Sequence, residues 1–303
     1  MSSACSHNAL QYPHPMSCAL CDDTGWKPVE DQGVRRVVRC ECWRAQVGQN
    51  RLTDANIPKR YQHCTLANFT AYNESLERAL GSARHALERF AEARSREQQG
   101  RGLFMEGPPG VGKTHLAVAV LKQIIVTSGV RGLFYDTRDL LRVIRSTYDP
   151  SIRTTELEIL QPVMTADLLV LDDLGAEKTS EWVEETMNLI VNTRYNERRM
   201  TIFTSNYPDI PDDTEPNSLI FRIGYRMRSR LHEMCDFVEM DGADYRELPV
   251  NGGVDDLIAL WKTRGKGRLP SPRGGRQARA QLRDPAVRDG KADLKWPGGR
   301  AGS

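Results

Sequence analysis

The most constraining feature of this chain is an eight-residue stretch that matches the pattern G-x-x-x-x-G-K-[ST]. It consists of Gly107, Pro108, Pro109, Gly110, Val111, Gly112, Lys113 and Thr114. In this pattern glycines let consecutive backbone N–H groups point at one anion, the lysine reaches the β- and γ-phosphates, and the hydroxyl binds Mg²⁺. An apolar strand-length stretch at 102–106 precedes it, and an apolar helix-length stretch at 114–126 follows. The pattern therefore predicts a nucleotide-binding loop; the alternative is a plain turn between strand and helix.

A second apolar strand ends in two carboxylates. Residues 168–171 are Leu-Leu-Val-Leu, and Asp172 and Asp173 follow them. We assign Asp172 to Mg²⁺ and Asp173 to orienting and polarising the attacking water. A third apolar stretch, 201–205, leads to Asn206, which we expect to contact the γ-phosphate or that water. The alternatives are that the two acids cap the next turn and that Asn206 belongs to a plain turn.

Four cysteines have the spacing of a metal site. Cys18 and Cys21 form a C-x-x-C pair, and Cys40 and Cys42 form a C-x-C pair after a gap of 18 residues. This gap lies in the range of four-cysteine zinc ribbons, and four thiolates give Zn²⁺ a closed tetrahedral site that is structural. We therefore predict structural zinc on a small hairpin. An iron–sulfur cluster and metal-free cysteines are the alternatives.

Composition excludes several classes of protein. Of 303 residues, 39% are hydrophobic and 27% are charged, and no apolar run approaches the roughly 18 residues of a membrane helix. Residues 1–16 have neither a basic start nor an apolar stretch, so they do not resemble a signal peptide. We expect a cytoplasmic protein without a membrane partner, in a compartment where disulfides are disfavoured.

The net charge of +2 is unevenly distributed. Residues 266–303 contain ten Lys or Arg and three Asp, so this tail carries +7 and the rest of the chain −5. Overall charge therefore gives no argument for nucleic-acid binding. Because the segment from about residue 265 is rich in Gly, Pro and Arg, we expect it to be disordered. This tail either binds the phosphates of a nucleic acid or is incidental disorder.

The chain divides into four parts by composition. They are the cysteine-rich residues 1–50, a linking segment at 51–100, alternating strands and helices at 101–248, and a C-terminal extension at 249–303. In the third part we expect strands at 102–106, 132–136, 168–172, 201–205 and 237–240, separated by helices at 114–127, 137–147, 154–164, 181–198 and 217–234. This alternation predicts an α/β fold with a parallel sheet, whose ligands bind at the carboxyl ends of the strands.

Together these motifs resemble those of AAA+ ATPases, with Walker A at 107–114, Walker B at 168–173 and a polar sensor at 206. The sequence LLVLDDLGAEKTSEW and the segments at 57–69 and 222–234 are more similar to helicase loaders of the DnaC/DnaI family and to the related IstB transposition ATPases. The resemblance covers about residues 15–247. It implies a P-loop NTPase parallel sheet flanked by helices. The residues themselves predict the zinc-binding N-terminal domain at 1–50 that precedes this sheet and the disordered basic tail that follows it.

The resemblance also implies roles for individual residues. Arg230, in an S-R-L element, would reach the nucleotide of the neighbouring subunit, with Arg226 as the second basic residue of that element. Arg246, in a D-Y-R signature, matches the lid arginine that contacts nucleotide. Asp173 stands where many AAA+ enzymes have Glu, which implies slow, partner-stimulated ATP hydrolysis. The segment that packs near the adenine matches Ile57, Pro58 and Tyr61.

The partners implied by the resemblance are the replicative hexameric helicase, single-stranded DNA and further copies of the chain, with ATP, Mg²⁺ and Zn²⁺ as cofactors. The cysteine cluster favours a loader, because IstB-type proteins generally lack one. The alternatives are a transposition helper ATPase acting on duplex DNA with a transposase, and a non-catalytic adapter that only senses ATP.

One helix face suits a single strand of DNA. Arg138, Arg142 and Arg145 follow the second strand at i, i+4 and i+7, with Tyr148 and Arg153 beyond them. Loaders of this type resemble the initiator clade of AAA+ proteins, which grips single-stranded DNA in this region. Basic side chains beside an aromatic ring suit phosphates and bases; a solvated charged face is the equal alternative.

Overall fold

The structure is a computed structural model that describes five stretches of the chain, residues 18–31, 33–95, 101–178, 180–249 and 252–264. The basic tail from residue 265, for which we expected disorder, lies outside the described residues. Within them, no helix combines the length and the apolar character needed to cross a membrane.

The described chain begins with a small antiparallel hairpin and two helices. Strands β1 (Trp26–Asp31) and β2 (Val34–Arg39) pair with each other only. Helix α1 (Glu41–Thr53) follows directly, and helix α2 (Glu74–Ser95) comes after a loop with a short 3-10 turn at Lys59–Tyr61.

The rest of the described chain alternates strands and helices. The strands are β3 (Gly102–Glu106), β4 (Gly132–Asp136), β5 (Leu168–Asp172), β6 (Met200–Ser205) and β7 (Cys235–Glu239). The helices are α3 (Lys113–Ser128), α4 (Thr137–Ser146), α5 (Glu156–Thr165), α6 (Glu181–Asn196), α7 (Leu219–Ile223), α8 (Tyr225–Met234) and α9 (Val254–Arg264). A 3-10 turn covers Tyr245–Glu247.

Strands β3 to β7 form one parallel sheet in the order β4-β5-β6-β3-β7. Strand β6 therefore lies between β3, which leads into the glycine-rich loop, and β5, which ends at Asp172. Because the strands are parallel, their carboxyl ends meet at one edge of the sheet. The expected α/β fold, a parallel sheet flanked by helices, is confirmed.

Two apolar layers cover the sheet. On one side α3 is buried along most of its length, and α2 packs against it through Ala79, Ala83 and Ala86. These three alanines share one helix face and are at most 1% exposed, so the two helices approach closely. The other layer is formed by apolar residues of α4, α5, α6, α7 and α8.

Three features go beyond the expected elements. The helix expected at 217–234 is two helices, because Gly224 has φ 78° and ψ 159°, a backbone region that essentially only glycine adopts. Helix α9, which packs through Leu257, was not expected. Helix α1 runs to Thr53, so the expected boundary at residue 50 falls inside a helix.

Candidate nucleotide and metal sites

The glycine-rich loop joins the end of β3 to the start of α3. Gly112 precedes the helix with φ 100°, and an added Cβ would lie 2.7 Å from the ring of Phe69. Any other residue here would be strained and would clash. No side chain caps the first turn of α3, so its N–H groups and the positive end of the helix dipole are directed at the loop. This is the geometry of an anion site.

Lys113 contacts both the loop and the end of a neighbouring strand. Its Nζ donates to the carbonyl oxygens of Gly107 and Pro108 at 2.8 Å each, and to Oδ1 of Asn206 at 2.7 Å. Burial lowers the pKa of Lys113 to about 8, while the charges of Asp173 and Asp172 oppose that shift. The structure therefore brings the loop lysine and the expected sensor residue into direct contact.

Asp172 lies at the end of β5, and two threonine hydroxyls donate to its carboxylate. Thr114 Oγ1 is 2.9 Å from Oδ1, and Thr204 Oγ1 is 2.6 Å from the same oxygen. Asp172 is only 7% exposed, and burial raises its pKa to about 6 although both hydroxyls stabilise the charge. A buried carboxylate beside a hydroxyl is a set of hard oxygen ligands that fits Mg²⁺.

Asp173 follows in a left-handed backbone conformation, with φ 59°. Its N–H donates to Thr204 Oγ1 at 2.9 Å, which fixes this conformation. Its two carboxylate oxygens accept from Asn206 Nδ2 at 2.6 Å and from a guanidinium nitrogen of Arg138 at 2.7 Å. The position of Asp173 is thus determined by three side chains, two from the end of β6 and the residue after it and one from the start of α4.

Two residues in this arrangement were not expected there. Thr204 links Asp172 to Asp173. It is 1% exposed in a strand of six buried residues, and a hydroxyl inside such a buried strand is the signal that could have found it. Arg138 was grouped with the DNA-contacting face, but its guanidinium lies on Asp173. Arg138 is the second residue of α4, and β4 lies next to β5 in the sheet, so the start of α4 falls beside Asp173.

The arginines of α7 and α8 fall into two groups. Arg222 donates to the carbonyl oxygens of Gly175 and Glu177, 2.6 Å each, in the loop after Asp173. Arg228 is paired with Asp209. In contrast, Arg226 is exposed and Arg230 is half-buried, with its Nη1 donating to the Arg226 carbonyl at 3.2 Å. Of the four, Arg226 and Arg230 remain on the surface side of α8.

The segment expected at the lid lies beside the loop, and the segment expected near the adenine packs on the core layer that contains α3. Ile57 and Tyr61 are partly buried against the core layer that contains α3. The N–H of Tyr245 donates to the carbonyl oxygen of Gly110 at 3.0 Å, which places the exposed Arg246 beside the loop. The charge of Arg246 contributes to the lowered pKa of Lys113.

The four cysteines converge on one point. All four sulfurs lie within 4.8 Å of one another, with Cys18 and Cys40 at 3.7 Å and Cys21 and Cys42 at 3.3 Å. Tetrahedral Zn–S bonds place sulfurs about 3.8 Å apart, so the cluster fits one zinc ion. Cys40 immediately precedes α1.

The helix face expected to contact DNA carries an aromatic partner that the sequence did not suggest. Arg145 lies over the ring of Trp182 at 4.5 Å, and Trp182 Nε1 donates to the hydroxyl of Tyr148 at 3.0 Å. Arg142 pairs with Asp139 at 2.9 Å at the exposed surface. Arg145, Tyr148 and Trp182 therefore form one cluster that joins α4 to α6, whereas Arg138 is directed at the nucleotide site.

Comparison with known proteins agrees with this geometry. The sequence profile of the IstB-like ATP binding protein family matches residues 41–247. The replicative helicase loader DnaC of Escherichia coli K12 is 28% identical over 163 residues, 54% of this chain and 63% of that protein. DnaI of Bacillus subtilis is 25% identical over 162 residues, 53% of this chain and 49% of that protein. A solved structure of the DnaC helicase loader is 36% identical with a TM-score of 0.53, covering 61% of this chain and all of that chain.

The parallel sheet, the loop and the acidic pair at one sheet edge define a P-loop nucleotide-binding protein of the AAA+ class. Within that class, the chain belongs to the IstB-like ATP binding protein family, whose profile covers more than half of it. Proteins named replicative helicase loaders are among its relatives, and the chain spans less than two thirds of their length.

Proposed function

We propose that this chain is an ATP-dependent loader of the replicative hexameric helicase. ATP binds between neighbouring copies of the chain, and its hydrolysis times release of the helicase on single-stranded DNA. The observation that carries this proposal is the similarity to a DnaC helicase loader along the whole of that chain at 36% identity. The cysteine cluster adds support, since it gives the chain a separate module for a partner.

In the proposed reaction, Lys113 and the loop N–H groups hold the β- and γ-phosphates, and Arg246 lies beside them. Thr114 and Asp172 would hold Mg²⁺, which supplies positive charge to the phosphates. Asp173 and Asn206 orient a water and Asp173 takes its proton. The water oxygen bonds to the γ-phosphorus as the bond to the β–γ bridging oxygen breaks, which releases ADP and phosphate.

Arg230 completes the site from the neighbouring copy. A guanidinium supplied in trans neutralises charge on the transferring phosphoryl group. Support for this assignment comes from Arg230, which is hydrogen-bonded to the Arg226 carbonyl of its own helix, whereas Arg222 and Arg228 are held by partners in other segments of their chain. Hydrolysis is therefore expected to require assembly, which suits a protein that switches partners rather than one that moves continuously.

The hairpin and its four cysteines form the proposed helicase-contact module, with Cys18, Cys21, Cys40 and Cys42 holding structural zinc. The hairpin and the turn before it expose large apolar side chains, among them Leu20, Trp26 and Val37. Trp26 and Val37 lie on the same face of the two strands, and exposed apolar side chains that share a face are candidates for a partner contact. The Arg145–Trp182 cluster is the proposed contact for single-stranded DNA.

The experiment that tests this function is light scattering after gel filtration of the protein with its host's replicative helicase, with and without ATP. We expect an ATP-dependent complex. The paired substitution of Cys18 and Cys21 to Ser should abolish it through loss of the zinc module, and Lys113→Ala should abolish it through loss of ATP binding. Asp173→Ala should form the complex and fail to release it. Absence of a complex under every condition would contradict the proposal.

A second function is favoured by the family that the chain belongs to, which is described as IstB-like ATP binding protein. In this alternative the chain assists a transposase on duplex DNA. The two functions separate in one comparison, in which ATP-dependent binding to duplex DNA is measured beside binding to the helicase. Lack of ATP hydrolysis with both helicase and single-stranded DNA would instead indicate an adapter that only senses ATP.

A further inference from the structure

Asp209 lies in the segment that follows the sensor residue, and its side chain is only 10% exposed. Two cationic or potentially cationic groups of α8 bind it. Arg228 forms a two-point contact, Nε with Oδ1 and a terminal nitrogen with Oδ2 at 3.0 Å. His232 Nε2 lies 2.8 Å from the same Oδ2. A paired guanidinium and carboxylate with this geometry fix both position and orientation.

The backbone of Asp209 connects to the start of the nucleotide loop. Its N–H donates to Oε2 of Glu106 at 2.6 Å, and Glu106 is the residue immediately before Gly107. Asp209 also follows Asn206 by three residues, and Asn206 contacts Lys113 and Asp173. A single residue therefore joins the nucleotide loop, the sensor segment and α8.

The contact with Asp209 bears on α8 because the basic side chains of this helix lie on two different sides of it. Arg228 and His232 are four residues apart and face Asp209, whereas Arg226, which is exposed, and Arg230, which is half-buried, are four residues apart on the other side of α8. The two pairs are offset by two residues, which is about 200° around a helix. The contact with Asp209 on one side therefore fixes the direction in which Arg226 and Arg230 point on the other.

Other contacts also hold α8: Tyr195 donates to Glu233 at 2.6 Å, and Arg101 donates to the carbonyl oxygen of His232 at 2.9 Å, both near the end of the helix. The helix begins at Tyr225, directly after Gly224, whose backbone ends the helix that precedes it. Met227 and Leu231 are buried and hold α8 against the core, but apolar packing is less directional than a two-point ion pair.

We propose that Asp209 is a positioning residue that holds α8 so that Arg226 and Arg230 reach the nucleotide of the neighbouring copy. This inference rests on the proposed function, in which that site is shared between copies. Asp209 holds α8 of its own chain, and through that helix it acts on the nucleotide of the neighbouring copy and not on the nucleotide of its own chain. Its contact to Glu106 uses only the backbone, so a change of its side chain leaves that contact in place.

The test is complementation between two defective variants. Asp209→Asn keeps the shape of the side chain but removes its charge; alone, it should lower kcat about tenfold or more, since small misplacement of a catalytic group is costly, and leave KM for ATP unchanged. Lys113→Ala has a defective site of its own and an intact α8. In an equimolar mixture, about one quarter of head-to-tail contacts pair an intact site with an intact α8, so hydrolysis should recover to that extent.

Two further mixtures serve as controls. Asp173→Ala with Lys113→Ala should not recover, because each of these variants has a defective site of its own. Arg230→Ala with Lys113→Ala should recover, because the arginine is supplied in trans. Arg228→Lys, which keeps a positive charge opposite Asp209, should lose less activity than Asp209→Asn.

The outcomes separate the role of Asp209 from the sharing of the site between copies. Recovery with Asp209→Asn as with Arg230→Ala supports the inference. Recovery with Arg230→Ala only, or wild-type kcat in Asp209→Asn alone, overturns the role of Asp209 and leaves the shared site intact. If neither mixture recovers, the site is not shared, and both the inference and that part of the proposed function are wrong.

Discussion

Thr204 shows how one hydroxyl can organise two acids. It donates to Asp172 and accepts from the N–H of Asp173, so it supports the charge of one residue and the left-handed backbone of the other. Neither acid would keep its position without a partner of this kind, because a buried carboxylate and a positive φ both cost free energy.

Thr204→Val should therefore destabilise the protein although it preserves the shape of the side chain. It leaves the N–H of Asp173 without its partner and removes a donor from Asp172, which should lower the free energy of unfolding by about 1–3 kcal/mol. ATP hydrolysis should fall as well. Thr204→Ser keeps the hydroxyl and serves as the control in urea denaturation. Equal stability of the Val and Ser variants would contradict this role.

Glu106 makes stability depend on pH. Burial, with smaller contributions from the charges of Asp209 and Glu239, raises its pKa to about 7, although the N–H of Asp209 and the charge of Arg228 oppose the shift. The ordinary value is about 4.5. Between these values the unfolded chain has lost the proton and the folded chain keeps it, so stability falls as pH rises through this window and is level above it.

Glu106→Gln removes this titration while keeping an oxygen that accepts from the N–H of Asp209. The variant should therefore gain stability relative to the wild type as pH rises from about 4.5 to 7, measured by chemical denaturation at several pH values. Glu74→Gln, at the exposed start of α2, is the control. A difference between Glu106→Gln and wild type that is constant with pH would show that Glu106 is not protonated in this range.

Residues in sequence motifs were easier to predict than the residues that hold them. Lys113, Asp172 and Asn206 follow from patterns within single segments, and the structure brings them together. Thr204 and Arg138 did not follow, because their contacts depend on which strands are neighbours in the sheet. A single sequence predicts that strands are parallel more readily than it predicts their order.

At the scale of elements, α4 divides its arginines between two tasks. Arg138, in its first turn, binds Asp173, whereas Arg145, in its last turn, lies over Trp182. The helix is thus in contact with both the nucleotide site and the proposed contact for single-stranded DNA. Its N-cap, Asp136, fixes the first turn by accepting from the N–H groups of Arg138 and Asp139.

Substitution of the two arginines should give different results. Arg145→Ala should weaken binding of a fluorescent single-stranded oligonucleotide and reduce the slope of its salt dependence by about one. Arg138→Ala should leave that slope unchanged and alter the rate of ATP hydrolysis, since it frees one oxygen of Asp173. The measurement is fluorescence anisotropy at several salt concentrations. The same loss of slope in both variants would return Arg138 to the DNA-contacting face.

The sequence predicted where most elements lie but not every way in which they are joined. Strands were placed within two residues, because buried apolar runs between loops are distinct. The break at Gly224 was missed, since a single glycine does not always end a helix. Arg194 would be assigned to the surface by its charge, yet it is fully buried and donates to Thr201 Oγ1 and to carbonyl oxygens at the end of α5.

At the scale of the whole molecule, the cysteine cluster and the nucleotide loop are connected by two helices. Helix α1 begins directly after Cys40 and packs against α3, which begins at Lys113. The packing is close at Gly48, where an added Cβ would lie 3.0 Å from the backbone of Val126. The proposed zinc site thus stabilises the start of a helix that covers the nucleotide-binding helix.

Removal of zinc should therefore lower the stability of the ATP-binding domain as well as that of the hairpin. A metal site that orders a small module contributes its binding free energy to folding. Because α1 packs against α3, part of this free energy should also stabilise α3. We expect a chelator to lower Tm and to weaken ATP binding, measured by differential scanning fluorimetry and by titration with a fluorescent nucleotide.

Gly48→Leu tests whether α1 transmits this effect. The larger side chain cannot fit against Val126, and overpacking of this kind costs about 1–3 kcal/mol, so α1 should separate from α3 without any change at the cysteines. The variant should keep its zinc, measured by metal analysis, but its ATP affinity should no longer respond to the chelator. If chelation still weakens ATP binding in Gly48→Leu, the metal site acts on the nucleotide site by a route other than α1.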